Sequence, residues 1–124
     1  MASFFTFGQG ISLLDNSKQC TQTVSSLFES YKKSYHCDAL EDSGKLLCNI
    51  LTFVKAQDYR DLYECQFSRE SGYDELDYDT GVQCFKIAKA LKTTDIGHCE
   101  ESKNQELCKM IFMAYMKKDL SFCY

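Results

Sequence analysis

The stretch CFKIAKALKTTDIGHCEESKNQELCKMIFMAYMKKDLSFC, residues 84–123, holds four cysteines in a symmetric order. Cys84 and Cys99 enclose 14 residues, Cys108 and Cys123 enclose another 14, and 8 separate the two pairs. The first half of the chain repeats the arrangement: Cys20 and Cys37, then Cys48 and Cys65, each enclose 16 residues with 10 between the pairs. Equal spacing on two antiparallel arms puts the first cysteine opposite the last. It also puts the two inner cysteines opposite each other, beside the turn. A disulfide needs Cα atoms roughly 4.4–6.8 Å apart, which only opposed positions on adjacent arms satisfy. Eight cysteines allow roughly a hundred connectivities. The spacing selects Cys20–Cys65, Cys37–Cys48, Cys84–Cys123 and Cys99–Cys108. The competing explanation is a coincidental spacing in another disulfide scaffold. A zinc site fits less well, because zinc favours close pairs such as C-x2-C. His36 and His98, each just before a cysteine, read as helix-end residues rather than ligands.

The arms carry helical periodicity. Val24, Leu27, Phe28, Tyr31 and Tyr35 form one stripe, and Asp38 to Gly44 reads as a turn. Leu47, Leu51, Val54, Leu62 and Cys65 form the next. Val82, Phe85, Ala88 and Leu91 mark the third arm, which frays near Thr93-Thr94-Asp95. Leu107, Ile111, Ala114 and Tyr115 mark the fourth, preceded by Ser102 and Gln105 as a capping box. A 17-residue step on an ideal helix leaves about 260° beyond whole turns, so either Cys37 lies past the helix end or that helix is kinked. The fold class is therefore all-α: two disulfide-linked antiparallel helical hairpins. The chain divides into an amino-terminal segment, residues 1–19, a first hairpin over 20–65, an acidic linker over 66–80 and a second hairpin over 81–124. The two halves also look alike in detail, with His36-Cys37 matching His98-Cys99 and an Asp-Leu pair ahead of both Cys65 and Cys123. Those likenesses suggest an internal repeat of about 60 residues.

Composition narrows the function. The chain has 124 residues, 44% hydrophobic and 26% charged, with no proline and no tryptophan. Absence of proline favours helices over turn-rich β folds. A net charge of −4 and scattered basic residues argue against a nucleic-acid partner. No apolar run approaches the ~20 residues of a membrane-spanning helix. No lysine or arginine precedes Lys18, so the sequence shows neither a secretory signal nor an arginine-rich presequence. No phosphate loop, nucleophile triad or metal-ligand cluster stands out, so no catalytic residue, cofactor, metal or small-molecule substrate is expected. The aromatic cluster Phe4, Phe5 and Phe7 is a candidate partner contact, or else a staple against the first hairpin.

Four bridges call for an oxidising compartment. The nested sets Cys20/Cys37/Cys48/Cys65 and Cys84/Cys99/Cys108/Cys123 resemble the twin C-xn-C hairpins of the coiled-coil-helix-coiled-coil-helix proteins of the mitochondrial intermembrane space. The doubled hairpin looks like that family's respiratory-chain accessory subunits, the complex I type in particular. The resemblance implies a non-catalytic structural subunit on the intermembrane-space face, held by protein subunits of a larger membrane complex. The alternative is a secreted disulfide-rich helical protein that signals or binds a ligand in its interior.

Overall fold

Four proline-free runs become α-helices: α1 (Ser3–Phe28), α2 (Asp42–Ala56), α3 (Tyr78–Thr93) and α4 (Gln105–Lys117). The computed structural model describes residues 3–29, 35–59, 62–65 and 78–124. Behind each helix lies a short 3-10 segment carrying a cysteine: Tyr35–Ala39, Leu62–Cys65, Ile96–Glu101 and Leu120–Cys123. The described residues contain no strand. The chain is thus all-α and built of disulfide-linked helical hairpins.

The hairpin bend has a common chemistry. The N–H of Tyr59 reaches the Val54 carbonyl at 2.9 Å, that of Asp95 reaches Ala90 at 3.0 Å, and that of Asp119 reaches Ala114 at 3.0 Å. This is the closing bond of a Schellman turn, which needs a left-handed residue just before the donor. Asp58, Thr94 and Lys118 supply it, with φ of 63°, 54° and 54°. The chain then doubles back. Asp95 Oδ1 accepts from Gly97 N at 2.9 Å, and Asp119 Oδ1 accepts from Ser121 N at 3.0 Å, so each aspartate starts its 3-10 segment. The return past α3 is antiparallel: Glu101 pairs with Lys86, Ser102 with Gln83, and Lys103 with Asp79.

The α-helices themselves pass one another in the same sense. Asn16 of α1 bonds to Asn104 at the start of α4, while Phe28 at the end of α1 stacks on Tyr115 near the end of α4. Likewise Gln19 lies against Gly44 in the first turn of α2. Further along, Ser26 of α1 and Thr52 of α2 meet at Cys37 Sγ, at 3.5 and 3.9 Å. A bridged sulfur has no hydrogen, so the Ser26 hydroxyl donates to it. Helix α1 packs on α2 and α4, and α3 packs on α2 and α4. The four close a ring in which α1 faces α3 and α2 faces α4.

Each bridge joins a 3-10 cysteine to the cysteine of the next helix round this ring: Cys37–Cys48, Cys65–Cys84, Cys99–Cys108 and, closing the circle, Cys123–Cys20. The two inner bridges expected from the spacing are present. The two outer ones are corrected: Cys20 joins Cys123 and not Cys65, and Cys84 joins Cys65 and not Cys123. Equal spacings arise here from a repeated unit rather than from mirrored arms. Ser26, Val54, Ala90 and Ala114 each stand six residues after their helix cysteine, and all four are fully buried. The 3-10 cysteine follows nine residues later in the last two units and eleven later in the first two. Cys37 accordingly sits past the end of α1, in a separate 3-10 segment.

The core is layered. Three residues after the helix cysteines come Thr23, Leu51, Ile87 and Ile111, all fully buried. In α3 the buried stripe is Ile87, Ala88, Ala90 and Leu91, whereas Val82 and Phe85 are only half-buried. Helix α3 starts at Tyr78, and residues 66–77 of the acidic linker lie outside the described residues. The cap of α4 is Asn104, whose side chain accepts from Leu107 N at 3.1 Å. Ser102, expected there, is buried against Gln83 instead.

Candidate functional site

The residue just before each helix cysteine is Gln19, Leu47, Gln83 or Leu107. All four reach one cleft of about 350 Å³, completed by Ser43, Asp79, Thr80, Lys103 and Asn104. The cleft therefore takes an equivalent residue from every unit and lies on the axis of the ring. The two glutamines belong to the facing pair α1 and α3, and the two leucines to the facing pair α2 and α4. Opposed walls are amide against amide and leucine against leucine.

The helix starts add an electrostatic frame. Helices α2, α3 and α4 begin at this cleft, and helix N-termini carry partial positive charge. Helices α3 and α4 each have an acid in the first turn, Asp79 and Glu106 respectively. At the mouth Lys103 Nζ lies 3.1 Å from Asp79 Oδ2, both side chains exposed. Such an exposed pair adds little stability, but it leaves neither charge unbalanced.

The two amides differ in how they are held. Gln83 Oε1 accepts from the Ser102 hydroxyl and from Asn104 N at 3.4 Å, while its Nε2 donates to the Asn104 carbonyl at 3.1 Å. Asn104 Nδ2 in turn donates to Asn16 Oδ1 at 3.0 Å. This network fixes Gln83 firmly. Gln19 is only 9% exposed, yet its amide has no hydrogen-bond partner among the described residues. Its side chain fills the space left by Gly44, where a Cβ would stand 3.3 Å from Gln19 Cδ and Nε2. One turn further in, the Thr23 hydroxyl is fully buried without a partner among the described residues. The cleft-lining side chains are thus two glutamines, two leucines, Ser43, Thr80, Asn104 and the Asp79–Lys103 pair.

The opposite end of the ring is aromatic. Phe28 and Tyr115 stack at 5.8 Å with 19° between their planes. Tyr59 is buried beside Tyr115, and its hydroxyl finds no partner in hydrogen-bond geometry. Burial first, and the neighbouring Tyr115 phenol second, push the Tyr59 phenol above its ordinary range.

The residues singled out by sequence fall as follows. All eight cysteines are bridged, none of them at the cleft surface. Phe4, Phe5 and Phe7 belong to α1, and their side chains lie outside the described residues. His98 Nε2 sits 4.0 Å from Asp95 Oδ2, and among the described residues no group of His, Cys, Asp and Glu is arranged to hold a metal. No described helix is long and apolar enough to cross a membrane. Spacing alone missed the cleft, although its signal is in the sequence: Gln-Cys, Leu-Cys, Gln-Cys and Leu-Cys recur in that order at the four helix cysteines. The chain matches no family model, no curated protein and no solved structure with which it was compared.

Proposed function

We propose that this protein is a non-catalytic binding module of the extracellular side, with the axial cleft as its binding site. The observation that carries this reading is the circular bridge pattern, in which Cys123 returns over 103 residues to Cys20. Such a pattern holds four units in one closed frame and leaves an axial space that belongs to all of them. The resemblance to twin-hairpin subunits of respiratory complexes rests on each hairpin having its own nested pair of bridges, and here two of the four bridges join one half to the other. Four bridges call for an oxidising compartment, which the extracellular side supplies. The cleft volume lies near the lower end of the ~300–1,000 Å³ typical of small-molecule sites.

Fractionation of the native source with an antibody tests the reading. Recovery from extracellular fluid, with all eight cysteines blocked from alkylation until reduced, is the expected result. Recovery from the mitochondrial intermembrane space in a respiratory complex overturns it and restores the accessory-subunit role.

A further inference from the structure

We infer that the cleft takes a small uncharged molecule presenting a primary-amide or lactam edge, with Gln19 as its principal hydrogen-bond partner. This rests on the reading that the cleft is the binding site. Gln19 is nine-tenths buried, lines the cleft and has no partner among the described residues. A primary amide carries an acceptor oxygen and two N–H donors side by side, and the group that satisfies both is another amide or a lactam. From the facing wall, Gln83 Nε2 uses one N–H on the Asn104 carbonyl. An amide nitrogen has two, so one is left for a ligand.

Charge selects against ions. Lys103 and Asp79 balance each other at the mouth. The first-turn acids Asp79 and Glu106 offset the N-termini of α3 and α4, which would otherwise attract an anion. A carboxylate or phosphate entering the cleft meets no unpaired cation, and an ammonium group meets no unpaired carboxylate. The other polar lining groups, Gln19, Ser43, Thr80, Gln83 and Asn104, are all neutral. Leu47 and Leu107, on the other pair of facing walls, are nearly fully buried and touch the cleft only at their edges, so they set its width rather than add charge. At ~30 Å³ per water-sized group, the volume suits roughly a dozen such groups, which is a one-ring carboxamide with room to spare.

Three probes of one shape separate the possibilities: benzamide, benzoate and toluene. Each is titrated into the oxidised full-length protein labelled with ¹⁵N, and the side-chain amide signals of Gln19 and Gln83 are followed. Benzamide is expected to shift both and to bind at least tenfold more tightly than benzoate or toluene. Gln19→Leu is expected to weaken benzamide at least tenfold without weakening toluene, while the dispersed amide spectrum reports that the fold is kept. If benzoate binds more tightly, and Lys103→Ala abolishes that, the cleft is an anion site and the amide proposal fails while the binding reading stands. If toluene matches benzamide, the cleft is an apolar pocket and the proposal fails in the same way. If no probe moves any cleft residue, the cleft reading falls with it.

Discussion

Helices α1 and α4 are neighbours in the same ring, yet their inner faces differ at matched positions. From the cleft inward α4 presents Asn104 at its cap, then Leu107, Ile111 and Ala114, whereas α1 presents Asn16, Gln19, Thr23 and Ser26. Apart from the half-buried Asn104, both sets are buried. The α4 set is what a layered core asks for. The α1 set is polar at every step, and only its two ends are satisfied: Asn16 by Asn104, and Ser26 by the Cys37 sulfur. A buried polar group without a partner costs about 1–3 kcal/mol. Thr23 therefore weakens the bundle in the layer beneath the cleft, whereas the Gln19 amide opens onto the cleft itself. The inner face of α1 thus adds less apolar burial than that of α4, and its place in the ring is secured by other means.

The Cys20–Cys123 bridge is the strongest of those means. Chain-entropy arguments give about 4 kcal/mol for a loop of this length once the other bridges shorten it, against about 2.5 kcal/mol for a loop as short as that of Cys99–Cys108. Replacing Cys20 and Cys123 together by alanine should therefore lower the unfolding free energy in urea by about 4 kcal/mol. The Cys99/Cys108 double variant should lose less. Equal losses would mean that α1 is held by packing alone.

The layer containing Thr23 and Ile111 tests the two faces directly. Ile111→Ala should cost about 3 kcal/mol through lost burial and a cavity. Thr23→Val should do the reverse and add about 1 kcal/mol, since it removes an unpaired hydroxyl with little change of shape. Thermal unfolding of the oxidised protein reads both. Destabilisation by Thr23→Val would reveal a partner for that hydroxyl and remove half of the contrast between α1 and α4.

The helices and the cysteine frame were legible in the sequence, because periodicity and spacing carry them. The pairing of the outer cysteines was not. Two equal spacings in succession fit mirrored arms and repeated units alike, and the inner bridges Cys37–Cys48 and Cys99–Cys108 come out the same either way. The order of neighbouring residues tells the two apart. Asp61-Leu62, Asp95-Ile96 and Asp119-Leu120 each precede a 3-10 cysteine by the same count and in the same direction, which is a direct repeat. The second unit has two more residues than the third and fourth between its left-handed residue, Asp58, and the start of its 3-10 segment, Leu62. The cleft was hidden for another reason: glutamine before a cysteine looks like any surface residue until four helices bring those positions together.

The bends distinguish the units further. Lys118 and Thr94 hold left-handed conformations that glycine adopts without steric cost. Lys118→Gly and Thr94→Gly should each stabilise by about 0.5–1 kcal/mol, an effect reduced by the greater freedom of glycine in the unfolded chain. Lys118→Ala should give no such gain. If both Gly and Ala stabilise equally, the turn is not the source.

The smallest effect separates two carboxylates on successive return arms. Glu101 is held below its ordinary value of 4.5 by its hydrogen bond to Lys86, with the charge of Lys86 second. Asp119 is held below 3.8 chiefly by the backbone N–H of Ser121. In both, the folded pKa is depressed, so the stabilisation is present above the unfolded pKa and is lost as pH falls through the folded one. Both groups are fully exposed, and the change in melting temperature on acidification should be slight. Carboxyl titration by NMR resolves them. Adding 1 M salt, where screening acts over ~3 Å, should raise the Glu101 midpoint and leave Asp119 nearly in place, because a short backbone hydrogen bond does not depend on a distant mobile charge. Lys86→Met should carry Glu101 back to its ordinary range without moving Asp119. A common salt response would mean that the two return arms are fixed by the same kind of contact, and that the third unit owes its register beside α3 to the turn at Asp95 rather than to Lys86.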